Sequence, residues 1–459
     1  MSVHPIDFQI NQDVFSTPES KRIFDERAVI QRWLDFEAAL AVVQGEEGLI
    51  PREAAKEIRE KAKVDGLDLE MIRAGYEKSR NSLIPVLKAL RAACSKDAGQ
   101  YVHYGPTTQD VLDTAQIVGI RKALSIIYRD LREIEGRCLE LAASHRSTPM
   151  VGRSHGQQAL PITFGLKVAV WLKENRFNIN RIKYLWSSMR YGQFGGAVGT
   201  LASLGGRGEV IAEKTLNMLG LDYDPLAWHT RRDAITELAS MLSISTATLA
   251  KIANEIYQLQ KTEIGELAEP PPKGQPASST MPHKQNPVIC QRVVAIFRHV
   301  SSLAPVVLQG MCQEHERDPR CLWSEWLAIP QICIYSATAA NYMKAVLSGL
   351  KVSREHMIRN LRSQGDLIAA EWLLFKLANK IGKMNALDKL HALISTARAT
   401  NKRLKDIILA DEETGMFFEE KDLEILDQPE RYTGNAQRIV DKVILDVEDA
   451  RKLDPGSLS

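Results

Sequence analysis

The 459-residue chain is short of the features that mark several large functional classes. It has no excess of charge of either sign. The formal net charge is +2 and no basic run stands out, which argues against a dedicated nucleic-acid binder. It lacks paired cysteines: the six, Cys94, Cys138, Cys290, Cys312, Cys321 and Cys333, have no C-x-x-C spacing. That disfavours a zinc site and a disulfide framework and fits a reducing compartment. No apolar run reaches about 18 residues, and the opening MSVHPIDFQINQDVF has neither the basic nor the apolar region of a signal peptide, so a cytoplasmic protein with no membrane partner is expected. Strand-like alternation is sporadic. The glycine-dense residues 191–208 contain neither G-x-x-x-x-G-K-S/T nor a G-x-G-x-x-G between strand and helix, so close packing explains their glycines better than a phosphate does.

What is present is helix. Residues 15–105 read as short helices, with Ser16-Thr17-Pro18-Glu19 as one start and Gly48 and Pro51 as a stop. Three long stripes follow. Ile117, Ile120, Leu124, Ile127, Leu131, Ile134, Cys138 and Leu141 repeat at 3,4 spacing; Val168 to Met189 and Ile235 to Leu259 carry the others. Around a connection at 192–233, with further helical text at 288–309 and 323–350, they predict a bundle of five long helices. After residue 364 the helices shorten. The expected fold is all-α, with an N-terminal helical domain (1–111), a central long-helix bundle (112–364) and a small C-terminal domain (365–459). Apolar text on more than one helix face, as at 304–308, suggests burial by self-association. A monomeric bundle or a structural coiled coil remains open on the stripes alone.

Residues 277–287, ASSTMPHKQNP, are too poor in apolar groups to be core and follow a Pro/Gly-rich lead-in that cannot stay helical. By residue chemistry they form either a solvated turn or a loop that folds over an anion. In the second case Lys284 and backbone N–H groups act as electrophile and a hydroxyl accepts a proton.

The string SSTMPHKQNP resembles the signature G-S-S-x-M-P-x-K-x-N-P of the fumarase/aspartase superfamily, with Ala277 in the place of the usual glycine. The resemblance implies β-elimination: a proton leaves the carbon beside a carboxylate, an aci-carboxylate forms, and the group on the neighbouring carbon departs. It implies Ser278 as the base, with Lys284 and Asn286 holding the carboxylate. VHYGPTTQDVLDT resembles H-x-G-x-T-S-x-D-x-x-D-T, with Thr108 replacing serine, and the resemblance implies His103, Thr107, Thr108 and Gln109, with Gln157, Asn286 and Arg317, as substrate-binding residues. Thr107, Thr108 and Gln109 stand at a helix start suited to an anion. GRSHGQQA resembles G-R-T-H-G-Q-x-A, which implies His155 as the acid at the leaving group, near Gln157. Members of the superfamily form homotetramers whose sites draw on three subunits, and the same is implied here, acting on a small polycarboxylate without cofactor or metal.

Within the superfamily the chain is similar to adenylosuccinate lyases and 3-carboxy-cis,cis-muconate cycloisomerases. Asn81 and Ser82 stand where the nucleotide lyases carry a histidine string. HERDPRCLWSEW ends Glu325-Trp326 rather than in arginine, although Arg153, Arg317 and Arg320 remain. AWHTRRD and QEHERDPRCLWSEW look like the cycloisomerases, whereas Ser154-His155-Gly156-Gln157 keeps the lyase histidine. Gln291 replaces the glutamate that usually orients that histidine; an amide holds an imidazole but does not stabilise imidazolium as a carboxylate does. The expected activity is elimination of an amine or alcohol from a non-nucleotide succinate to give fumarate. The alternatives are a cycloisomerase, an adenylosuccinate lyase and a non-catalytic bundle.

Overall fold

The computed structural model describes residues 4–8, 10–11, 13–271, 281 and 283–458. It opens with α1 (Pro18–Phe24), α2 (Glu26–Glu46), α3 (Arg52–Lys61), α4 (Leu69–Ser79) and α5 (Leu83–Ala93). Thr17 Oγ1 caps α1 by accepting from the Ser20 N–H at 3.1 Å, with Pro18 in the first turn. Gly48, beyond the end of α2, takes a φ of 67°.

Five long helices follow. They are α6 (Thr108–Ser144), α7 (Phe164–Ser188), α9 (Asp233–Leu259), α10 (Val288–Gln309) and α11 (Pro319–Ser348); α8 (Gly208–Met218) lies inside the connection read as a loop. At about 1.5 Å per residue, α6 runs roughly 55 Å. Its stripe from Ile117 to Cys138 is buried, as are Leu172, Ile179 and Ile182 on α7 and Leu238, Leu242 and Ile252 on α9. Burying one Leu or Ile stabilises by roughly 1.5–3 kcal/mol, against a helix penalty of at most about 0.7 kcal/mol for a β-branched residue, so packing decides in favour of helix. The polar member of the α7 stripe, Asn175, donates its Nδ2 to the Leu131 carbonyl at 2.9 Å, while its buried Oδ1 has no partner among the described residues.

Between α6 and α7 the chain makes a hairpin that the sporadic alternation did not predict. β1 (Pro149–Ser154) pairs antiparallel with β2 (Gln157–Thr163), and Ser154 lies opposite Gln157. The turn is His155-Gly156, with φ of 51° and 75°. Positive φ at both central residues is what a type I′ hairpin turn requires. Gln157, Gln158 and Pro161 break the apolar alternation that would have announced the strands.

A short pairing of β3 (Leu267–Ala268) with β4 (Lys351–Val352) precedes α12 (Arg354–Arg362). Then α13 (Ala370–Ile381), α14 (Lys383–Thr400), α15 (Leu404–Ala410) and α16 (Glu424–Asp427) enclose a second apolar core that includes Leu373, Leu377, Leu390, Leu393 and Ile408. The last helix, α17 (Ala436–Lys452), returns to the bundle. It lies on α6 and α7, its Val440 and Val447 join the main core, and Tyr128 Oη donates to the Pro455 carbonyl at 2.7 Å. Residues 365–459 therefore divide between the two cores. Among the described residues, no helix is long and apolar enough to cross a membrane.

Candidate active site

The start of α6 is where the chain gathers its polar groups. Thr107 is the N-cap, and its N–H donates to Asp110 Oδ2 at 2.9 Å. Thr108 and Gln109 are the first helical residues, so their N–H groups belong to the unpaired first turn that favours an anion. Asp110 is fully buried. It also accepts from the N–H groups of Gly195 and Gly196, at 3.0 and 2.9 Å, and lies 2.9 Å from His229 Nε2. The glycine-dense stretch thus serves backbone approach: a Cβ on Gly195 would come within 2.6 Å of the Ala227 Cβ, and Gly196 has φ of 73°.

One turn further along, Asp113 meets Arg232 and Glu325. Arg232 Nη1 donates to Asp113 Oδ2 at 3.0 Å, and its Nε donates to Glu325 Oε1 at 2.9 Å; all three are buried. The Trp228 ring lies beneath the guanidinium at 4.9 Å, and Gln109 Nε2 donates to Asp113 Oδ1 at 2.9 Å. Burial raises the Glu325 carboxyl above its ordinary range, although Arg232 pulls it down. AWHTRRD and LWSEW are thereby the struts of the α6 terminus, a role their sequence does not advertise.

In front of this terminus is a cavity of about 920 Å³, lined by Thr107, Thr108, Gln109, Arg317, Asn81, Ser82 and Trp326 among others. Arg317 reaches across it. Its Nη1 donates to Thr107 Oγ1 at 3.2 Å and its Nη2 to the Ala197 carbonyl at 2.6 Å, while its buried Nε has no partner among the described residues. No described carboxylate pairs with Arg317, so its charge is available to a ligand. Beyond it the walls turn aromatic: Tyr76, Trp323 and Trp326, the last stacked on Trp33 with centroids 6.5 Å apart. The remaining charged groups of the lining are Arg80 and Glu77.

The other candidate residues lie elsewhere in the chain. His155 and Gln157 are exposed on the hairpin, outside this cavity. Lys284 is exposed and Asn286 half-buried just ahead of α10, also outside it; Ser278 lies outside the described residues. The ends of that segment are fixed by groups that sequence reading passed over. Glu269 accepts from the Ile289 and Cys290 N–H groups at 3.2 and 3.0 Å, capping α10. Gln260 accepts from the Glu269 N–H at 2.9 Å and donates to the Gln285 carbonyl at 3.1 Å.

His103 supports the site from behind: its Nδ1 lies 2.7 Å from buried Glu37, and φ is 61°. Burial lowers its pKa, but the charge and hydrogen bond of Glu37, with Asp110, outweigh this and hold it above the ordinary histidine value. The resulting stabilisation is complete below an unfolded value of about 6.5 and is lost as pH rises through the raised folded value. Denaturant midpoints of wild type and Glu37→Gln should therefore differ most in mildly acidic buffer and converge on going alkaline. A gap independent of pH would exclude this linkage.

Comparison with known proteins gives a family model described as lyase over residues 16–301 and one described as adenylosuccinate lyase C-terminus over 366–443. The chain is 36% identical over 444 residues to N-acetyl-S-(2-succino)cysteine lyase of Dickeya dadantii, with 97% of this chain and 98% of that one covered. It is 37% identical over 455 residues to an adenylosuccinate lyase of Pyrococcus horikoshii, covering 98% and 99%. The crystal structure of β-carboxy-cis,cis-muconate cycloisomerase from Acinetobacter calcoaceticus matches with a TM-score of 0.89 at 35% identity, covering 95% of this chain and all of that one. Relatives with three different reactions stand at nearly equal identity, so identity alone does not select the substrate.

Proposed function

Because the chain belongs to the fumarase/aspartase superfamily of lyases, we propose that it eliminates the substituent of a non-nucleotide succinate to give fumarate. The observation that carries this reading is the cavity at the α6 terminus. It offers two guanidinium groups that no described carboxylate pairs with, Arg317 beside the first-turn N–H groups and Arg80 on the far lining, and an aromatic wall at Trp326 where the nucleotide lyases carry an arginine. A carboxylate of the substrate binds Arg317, Thr107 and Thr108. Ser278 removes the Cα proton, Lys284 and Asn286 stabilise the aci-carboxylate, and His155 serves the departing atom. That atom is nitrogen or oxygen, or sulfur as in the substrate named for the Dickeya relative.

His155, Lys284 and Asn286 stand outside the cavity of their own chain, which favours a site completed by other copies in a homotetramer. Val170, Phe177 and Tyr184, spaced seven residues apart on α7, are each about half exposed, and Val306 and Leu308 on α10 are also open. Such stripes suit a helical core shared between subunits. Gln291 supplies a second reading, a cycloisomerase, since a lactone carboxylate leaves without a proton and needs no imidazolium.

Arg317→Met tests the carboxylate assignment. Removing a charge-assisted contact worth about 1.5–3 kcal/mol should lower kcat/KM roughly 10- to 100-fold, chiefly through KM. An unchanged KM would remove Arg317 from substrate binding.

A further inference from the structure

We propose that the chain carries a second ligand site, for a small organic dianion of the dicarboxylate class, in a separate cavity of about 360 Å³ bordered by α2, α3, α6 and the end of α8. The site is independent of the reaction proposed above. Three cations line it: Arg32 on α2, Arg59 on α3 and Lys63 just beyond α3. None of the three is in an ion pair among the described residues, although most helices of the chain are laced with such pairs. The acid of the cavity is Asp35, whose Oδ1 accepts from Gln31 Nε2 at 2.8 Å. The lining, three cations and one carboxylate, is thus left with an excess of positive charge and no ion pair among the described residues.

Arg32 is the anchor. It is 7% exposed, and its guanidinium is held by main-chain carbonyls rather than by a carboxylate: Nε donates to Ala115 O at 3.0 Å and Nη1 to Ile23 O at 2.6 Å. Burial draws its pKa down to about 10, with Asp25 and Asp35 opposing from a distance. A buried cation of this kind gains from an anion brought to it already desolvated. Gly119 leaves space beside it, since a Cβ there would stand 3.2 Å from Nη2.

The rest of the wall decides the ligand class. Ala38, Val42, Val118 and Leu219 present carbon. A carbon chain carrying two carboxylates covers such a wall while reaching the cations; inorganic phosphate would set acceptor oxygens against apolar groups that cannot pair with them. The volume lies at the small end of the range for small-molecule sites, roughly 300–1,000 Å³. Helix α6 serves both sites with different residues, giving Thr108, Gln109 and Leu112 to the cleft and Thr114, Ala115 and Val118 to this cavity.

Succinate is the probe, because it offers the dianion without a leaving group. The full-length assembled protein is treated with acetic anhydride, with and without succinate, at constant ionic strength, and acetylation is read on the Lys63 peptide by mass spectrometry. Succinate should slow labelling of Lys63 several-fold in wild type, should lose that effect in Arg59→Gln, and should protect better than inorganic phosphate. Lys63 labelling unaffected by millimolar succinate overturns the site, as does protection that survives in Arg59→Gln. So does a Lys63 that fails to label at all, since the cavity is then covered in the assembly. Equal protection by phosphate overturns the dicarboxylate assignment.

Discussion

Ser278→Ala is expected to lower kcat by roughly a hundred- to ten-thousand-fold while leaving assembly and unfolding temperature as they are. A serine hydroxyl holds its proton far above neutral pH, so it acts as a base only where donors stabilise the alkoxide. In the mechanism proposed above, Lys284 and backbone N–H groups of the same segment are the donors assigned to it. That segment is tied at both ends, through Glu269 to the first turn of α10 and through Gln260 to Gln285. Residues 277–287 are poor in apolar groups, so the substitution should be silent in stability. Mixing separately inactive Ser278→Ala and His155→Ala proteins, after dissociation and reassembly, should restore about a quarter of wild-type activity if the two residues of one site come from different subunits. Activity of Ser278→Ala within a few-fold of wild type would assign the base elsewhere.

The second large effect is on stability. Arg232→Met should destabilise the protein by about 3–5 kcal/mol, because it strands two buried carboxylates, Asp113 and Glu325, with no remaining cation between them. The loss is read as a lower denaturant midpoint at unchanged slope. Replacing the three together, Arg232→Met with Asp113→Leu and Glu325→Leu, should cost far less, since no charge is then left unpaired. Activity should still fall in the triple variant, because Gln109 loses the carboxylate that holds its side chain at the mouth of the cleft. A single variant as stable as wild type would contradict the role of the triad.

These two substitutions also mark what the sequence made legible. Ser278 is singled out by a contiguous string of neighbours, an assignment that rests on the resemblance, whereas the five long helices are legible because their apolar residues repeat locally at 3,4 spacing. Arg232 was not found. Its partners lie 119 and 93 residues away, and nothing in a charged residue's own neighbourhood says that it will be buried. Asp110 and Glu269 escaped for the same reason: each satisfies backbone N–H groups that only the fold brings near. The hairpin at 149–163 was hidden by its glutamines and proline, although His155-Gly156 between two extended segments was a usable turn signal. Asn81, Ser82 and Trp326, singled out separately as departures from the nucleotide lyases, line one cavity with Thr107, Thr108 and Arg317.

The reading of that cavity as a site for a small substituted succinate stands or falls on one comparison. Fumarate formation is followed by ultraviolet absorbance with N-acetyl-S-(2-succino)cysteine, an N-substituted succinate of similar size and adenylosuccinate, and consumption of 3-carboxy-cis,cis-muconate is followed in parallel. The kcat/KM for a small succinate should exceed that for adenylosuccinate by roughly 10- to 100-fold, the worth of one charge-assisted phosphate contact missing at Trp326. A wide margin in favour of adenylosuccinate, or turnover of the carboxymuconate alone, would contradict it.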